Sequence, residues 1–257
     1  MPGELLLSIL CSIPKDLRAN LCDSENYRGI ALSSCLAKVY DIIILKRFAN
    51  HLITSDSQYA FKSQHGTTMC TLILKEVLSY FKRLKSNVYV GLIDASKAFD
   101  RVRHNRLFKL LIERRLPVVV IRLLMDSYKR QKISTVWNKC YSEEFDTENG
   151  IKQGSILSPV LFTVYMDVLL KRLEASGYGC KIGNYYFGAL SYADDLAILC
   201  PTVRGFQHML YLCEKFGEEY GVKYNPTKSV GFCVYRKKTL PPAGISGRQV
   251  NFMGNHH

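Results

Sequence analysis

The chain contains no CxxC pair and no cysteine–histidine spacing suited to zinc, although it holds nine cysteines. A zinc ribbon or finger is therefore excluded. An odd number of scattered thiols reads as free cysteines in a reducing, intracellular setting, nucleus or cytoplasm. Nowhere does an uninterrupted apolar run approach the ~20 residues a membrane span needs. DIIILKRF and VVVIRLLM are both broken by charge, and no membrane partner is expected. The apolar opening MPGELLLSILCSIPKD lacks a basic start and a clear cleavage site, so it does not read as a secretory signal. Repeats, low-complexity tracts and long linkers are missing as well. The last shortage is negative charge: 35 Lys+Arg against 22 Asp+Glu leave +13. Such a surface points to a polyanionic partner, nucleic acid foremost.

What is present is the composition of a folded protein. Over 257 residues, 47% are hydrophobic, enough for one large domain or two smaller ones. Helical periodicity runs through residues 30–52, with Ser33 or Ser34 as cap, and again through residues 67–85. Residues 87–94, NVYVGLID, carry no charge until the last position and suit a buried strand. HNRLFKLLIERR and VVVIRLLMDSYKR read as helices parted at Pro117. KISTVWNKCYSEEFDTENGIKQG reads as a strand pair leading into a glycine-containing loop. Residues 158–177 form the clearest helix, with a serine cap, proline in the first turn, late basic residues and a terminal glycine. A strand–turn–strand over residues 188–200, a helix over 204–221 and a strand over 228–235 follow. Helices interleaved with a hairpin and single strands predict an α+β fold, an antiparallel sheet with helices on one face.

The chemistry concentrates in three carboxylates. Asp94 closes one buried strand, and Asp194 and Asp195 occupy the tip of a hairpin inside GALSYADDLAILC. If the two elements are sheet neighbours, three like charges converge, and one must bind a proton unless divalent cations neutralise them. Hard oxygen ligands select Mg²⁺, which takes its remaining ligands from water and phosphate. Two such ions can hold both oxygens of an in-line phosphoryl transfer. Taken alone, an Asp pair is more often just a solvated turn.

Context favours the chemical reading. DASKAFDRV, then GIKQGSILSPVLF, then SYADD resemble, in order and spacing, the reverse transcriptases of non-LTR (LINE-type) retrotransposons. ENYRGIALSSCLAKVYD and QYAFKSQHGTTM are similar to that family's finger segments, and GVKYNPTKSVGF to its palm segment after the Asp pair. Group II intron reverse transcriptases also carry a YADD box, but KAFD after Asp94 is closer to the retrotransposon branch. The resemblance runs from about Ile13 to Gly254.

It implies a right-hand polymerase palm plus fingers. Residues 1–86 would be fingers-like, and residues 87–257 the palm, with an inserted finger or helical segment around 105–150. VNFMG (residues 250–254) resembles a primer-grip segment, after which no thumb is seen. Asp94, Asp194 and Asp195 match the catalytic aspartates, with Asp94 and Asp194 foremost as direct metal ligands and the Ala95 carbonyl as a further oxygen. Phe99 matches the aromatic gate that presses on the sugar 2′ position; the alternative is plain core. Gln153 and Gly154 lie in the loop that packs against nucleotide and template. Lys62 and Arg28 match basic finger positions facing the triphosphate, and Lys228 the basic residue behind the aspartates; either lysine could instead be solvated surface. Asp100 reads as structural, capping the helix that follows. Tyr192 either packs under the primer end or fills the sheet.

The implied activity is RNA-directed DNA polymerisation, with two Mg²⁺ ions (Mn²⁺ as an alternative), an RNA template, a DNA primer and dNTPs. Two alternatives stay open: a catalytically silent nucleic-acid-binding remnant, and a maturase-like RNA-binding protein of the group II intron kind.

Overall fold

The computed structural model describes residues 6–234 and, beyond them, the backbone of three short strands between residues 244 and 252. Val250, Met253 and Gly254 of the primer-grip-like segment lie outside the described residues.

The chain opens with β1 (Leu7–Pro14) and β2 (Tyr27–Ser33), an antiparallel pair in which Ile9 stands opposite Leu32. Residues 30–33 therefore end a strand, although periodicity suggested a helix from residue 30. The switch comes at Ser34, whose extended backbone lets its hydroxyl accept the Ala37 N–H and start α1 (Cys35–Arg47). Next come α2 (Thr67–Arg83), β3 (Val88–Ile93) and β4 (Ala95–Ser96). Two helices, α3 (His104–Glu113) and α4 (Val118–Lys129), lead to β5 (Lys132–Trp137), β6 (Cys140–Tyr141) and β7 (Phe145–Asp146). α5 (Ser158–Ala175) is followed by the small pair β8 (Lys181–Ile182) and β9 (Tyr185–Tyr186). The Asp-pair hairpin is β10 (Ala189–Tyr192) and β11 (Asp195–Cys200). After α6 (Val203–Tyr220), capped by Thr202, come β12 (Lys223–Tyr224) and β13 (Val230–Val234). The last strands are β14 (Gly244–Ile245), β15 (Arg248–Gln249) and β16 (Asn251–Phe252).

These elements make two compact units, each discontinuous in sequence. The first comprises Met1–Ile53 and Phe99–Phe162. Its sheet runs β2-β1-β5-β6, with β7 also on β5 and β1 parallel to β5. Leu107 and Leu111 of α3 and Ile121 and Leu124 of α4 are buried, and the His104 and Phe108 rings pack edge-on against Tyr128. His104 Nε2 stands 2.6 Å from the Gly150 carbonyl oxygen, so this histidine ties α3 to the following loop.

The second unit comprises Thr54–Ala98 and Thr163–His257, and its sheet runs β10-β11-β3-β13-β16. All neighbours are antiparallel except β13 and β16. α2, from the segment read as fingers-like, packs here. Its Val77 and Phe81 form one core with Val88, Val90, Leu190 and Leu199. α6 lies across the opposite face, where Phe206 meets Gly91 and Ile198. The α+β class is the one expected, and helices flank both faces where the pattern pointed to one. Burying each large apolar side chain contributes about 1.5–3 kcal/mol. Among the described residues no helix is long and apolar enough to cross a membrane.

Gly91 shows how tightly the second face is packed. A Cβ there would stand 2.9 Å from Phe206 Cζ and 3.0 Å from Ile198 Cγ1. Gly91→Val should therefore overpack the sheet–helix contact and destabilise the protein by about 1–3 kcal/mol. Urea denaturation would register this as a lower midpoint at unchanged slope. A midpoint equal to the parent's would contradict the packing described.

Candidate active site

Strand register assembles the site in the second unit. β11 pairs with β3 through Leu196↔Ile93, and one further step sets Asp195 opposite Asp94. β10 pairs with β11 through Tyr192↔Asp195. On the other side β13 pairs with β3 through Val230↔Leu92, and Lys228 sits just before it in the turn 226–228, its N–H donating to Asn225 Oδ1 at 3.3 Å. Residues directly opposite one another on antiparallel strands point to the same face. Asp94, Asp195 and Tyr192 thus form one row across β3, β11 and β10. Together with Lys228 they line a depression of about 320 Å³, whose rim includes Cys70, Thr71 and Leu74 of α2. The Asp94 N–H donates to Ser229 Oγ at 3.1 Å, and its carbonyl accepts the Asn225 N–H at 2.8 Å. Ala95 is buried and pairs with Tyr224 in the short β4–β12 ladder.

Asp194 sits in the two-residue turn between β10 and β11, beside Ala193, whose φ is +58°. A left-handed alanine costs about 1–2 kcal/mol, so neighbouring contacts must hold it. Burial first, and then the Asp94 charge, raise the Asp195 carboxyl above its ordinary value. Among the described residues, no group of three or more His, Cys, Asp or Glu side chains stands ready to hold a metal ion. Asp94 is the charged group whose influence on Asp195 is resolved.

Lys62 also belongs to the second unit. Its ammonium donates to the Ser55 and Thr54 carbonyls at 2.6 and 3.3 Å, and burial lowers its pKa against the pull of Asp56 and Asp167. It is neither plain surface nor open to solvent on all sides.

Five residues singled out from the sequence lie in the first unit. Phe99 stacks on the fully buried Phe162, ring centroids 4.3 Å apart and planes within 14°. Gln153 Nε2 donates to Asp100 Oδ1 at 3.0 Å, and its carbonyl accepts the Ala31 N–H at 2.6 Å. Asp100 does not cap α3, whose N-cap position is Arg103 with no side-chain cap; its carboxylate holds Gln153 instead. Gly154 has φ +115°, and a Cβ there would stand 2.5 Å from the Ala31 carbonyl oxygen, so only glycine fits. Arg28 is exposed on β2, opposite Ile13.

Sequence reasoning missed Asp41 and Gln58. The Asp41 carboxylate, on α1, accepts Ser155 Oγ at 2.6 Å and the Ile156 and Leu157 N–H groups at 3.1 and 3.3 Å. It pins the loop that carries Gln153 and Gly154. Gln58 does the same for the Asp-pair turn. Both sit inside segments recognised only as wholes, and neither periodicity nor spacing marks a polar side chain that folds inward to brace a distant loop.

The raised Asp195 carboxyl sets a sign for pH dependence. A carboxyl that takes its proton more readily in the folded state contributes its stability below the ordinary carboxylate range. That contribution is lost as pH rises through the raised value. Asp195→Asn should therefore stabilise the protein in a chelator at pH 7 and much less at pH 4. Melting temperatures of parent and variant across that range would check it; an advantage that shrank as pH rose would contradict the charge coupling.

Comparison with known proteins follows the same line. Residues 13–257 match the family model described as reverse transcriptase (RNA-dependent DNA polymerase). The chain is similar to the Retrovirus-related Pol polyprotein from type-1 retrotransposable element R2 of Nasonia vitripennis. The two are 29% identical over 227 residues, 88% of this chain and 22% of that protein. It is also similar to the probable RNA-directed DNA polymerase from transposon X-element of Drosophila melanogaster, 25% identical over 94% of this chain and 27% of that protein. The chain thus spans less than a third of each relative. Among solved structures it is similar to telomerase from Candida tropicalis in complex with a TWJ fragment of telomeric RNA. The TM-score is 0.64 at 14% identity, over 98% of this chain and 44% of that one, a likeness of the right-hand polymerase fold. The resemblance to non-LTR retrotransposon enzymes drawn from the motifs is borne out over nearly the whole length, and the chain belongs to the reverse transcriptase (RNA-dependent DNA polymerase) family.

Proposed function

We propose that this chain extends a DNA primer on an RNA template, joining the primer 3′-hydroxyl to the α-phosphate of a dNTP with two Mg²⁺ ions as cofactors. Mn²⁺ would substitute. The observation that carries the reading is the opposition of Asp94 and Asp195 across the sheet of a reverse transcriptase, with Lys228 lining the same depression. The residues fit a hard divalent cation. Their donors are carboxylate oxygens, and the Asp195 carboxyl is raised by burial first and then by the Asp94 charge, both of which a bound cation offsets as a proton does. Asp94, Asp194 and Asp195 would hold the ions, with the Ala95 carbonyl oxygen as a further donor. When bound, the ions lower the pKa of the primer hydroxyl and stabilise the charge on departing pyrophosphate.

The chain's own residues supply the rest. Lys228 brings a positive charge to the carboxylate row, where it offsets phosphate charge. Gln153 and Gly154, fixed on the loop braced by Asp41, offer a close-fitting surface to nucleotide and template. Phe99, five residues after Asp94 in the chain, excludes a ribose 2′-hydroxyl. Arg28, exposed on β2, is free to meet phosphate. Lys62 serves better as a brace of its own segment than as a triphosphate contact, since a phosphate would have to displace its two carbonyl partners. The net charge of +13 supports a nucleic-acid partner, and nine free thiols support an intracellular site of action, nucleus or cytoplasm.

Asp94→Asn and Asp194→Asn should each reduce single-nucleotide addition by about 100-fold or more, while binding of primed RNA stays near the parent's. A neutral amide keeps the shape but is a poor Mg²⁺ ligand. Primer extension beside a binding titration checks this; extension at the parent rate by either variant would overturn the metal assignment.

Phe99→Val should raise the ratio of rNTP to dNTP addition by about tenfold, because truncation removes a clash. It should also lower the melting temperature, through loss of the stack on Phe162. A fall in stability with no change in the ratio would make Phe99 a core residue only.

A further inference from the structure

Gln58 is fully buried, at 0% exposure, and its amide is spent on the Asp-pair turn. Oε1 accepts the Ala193 N–H at 3.1 Å and the Ala60 N–H at 3.0 Å. Nε2 donates to Ser191 Oγ at 3.1 Å and reaches the Ala193 carbonyl at 3.5 Å. Ser191 Oγ donates in turn to that same carbonyl at 3.2 Å. Both polar backbone atoms of the left-handed Ala193 are thus held, directly or through one hydroxyl, by a side chain 135 residues away in sequence.

The segment carrying Gln58 is itself anchored. The Ser191 N–H donates to the Ser57 carbonyl at 2.8 Å and the Tyr59 N–H to the Ser191 carbonyl at 2.9 Å, so residues 57–59 run beside the free edge of β10 as a parallel bridge. The Ser55 N–H donates to the fully buried carboxylate of Asp167 at 2.7 Å, and Asp167 pairs with Lys171 at 2.8 Å. Lys62 closes the segment on the Ser55 and Thr54 carbonyls. A strap with ends fixed in this way has no freedom to follow the turn; it dictates where the turn goes.

We propose that Gln58 is a positioning residue for the cation site: by imposing the backbone of Ala193, it aims Asp194 and Asp195 at the ions. The inference rests on the polymerase reading for its purpose, and on the hydrogen bonds alone for its geometry. Hydrogen bonds one layer out from metal ligands commonly control affinity by about 10–100-fold.

The test uses the full chain and Mn²⁺ as probe, bound without substrate and counted by electron paramagnetic resonance of the free ion. Gln58→Met keeps the buried volume and removes every hydrogen bond. Ser191→Ala removes only the hydroxyl relay and leaves the direct contact of Gln58 with the Ala193 N–H. Leu107→Ala, in the core of the other unit, is the control for general destabilisation. Gln58→Met should weaken Mn²⁺ binding by about tenfold with circular dichroism retained. Ser191→Ala should weaken it less, in the same direction. The Mg²⁺ concentration for half-maximal nucleotide addition should rise in parallel, while the dNTP KM at saturating Mg²⁺ stays put. Leu107→Ala should lower the melting temperature and leave Mn²⁺ affinity at the parent value. Parent-like Mn²⁺ affinity in both Gln58→Met and Ser191→Ala would overturn the inference. A parent chain that binds Mn²⁺ in this Gln58-dependent way but never extends a primer would sink the polymerase reading and leave the positioning role standing.

Discussion

Everything at the site hangs on the antiparallel register that sets Asp195 opposite Asp94. Directly opposed residues on neighbouring strands have Cα atoms about 4.5–5.5 Å apart, a separation at which two carboxylates repel unless something positive completes them. Burial first, and then that repulsion, raise the Asp195 carboxyl. A slip of one residue would turn either side chain to the far face of the sheet and dissolve the row. The second unit is built against such a slip. α2 locks Val90, Leu190 and Leu199 on one face, and Phe206 fills the notch over Gly91 on the other. Ser229 receives the Asp94 N–H and ties the segment leading into β13 to the end of β3, next to Lys228.

The hairpin turn is the second constraint. A left-handed alanine is a poor choice for a free turn, and here the unfavourable backbone is stabilised from outside by Gln58 and Ser191. Strain of this kind persists where surrounding structure over-determines it. The buried Asp167 and the committed ammonium of Lys62 make the strap rigid enough to impose it. A lysine that resembles a phosphate contact in one dimension is, in three, part of a brace.

In the first unit the same logic governs the loop through Gln153 and Gly154. Asp41 accepts three donors at the start of α5, Gly154 presses against the Ala31 carbonyl, and Gln153 is held at both its amide and its carbonyl. Side chains placed by backbone contacts of this number are preorganised, as the surface proposed for nucleotide and template requires.

Much was legible in one dimension. The uncharged run of β3 ending in Asp94, the apolar flanks of the Asp pair and the cap signals of α5 are local, so periodicity and turn chemistry displayed them. The order and spacing of six motifs carried the family. What misled was also local. Residues 30–33 share their apolar content with the helix that follows, and only pairing with β1 makes them a strand. Asp100 stands where a helix cap would, yet its partner is Gln153. The amino-acid sequence by itself determined most of the element types, the carboxylates and their chemical class. Tertiary structure alone decided the cross-strand row, the opposition of Asp94 and Asp195, and the burial of Gln58 against a turn 135 residues on. The physical reason is that register and buried hydrogen bonds depend on which strands and segments meet, and no local pattern encodes a partner so distant along the chain.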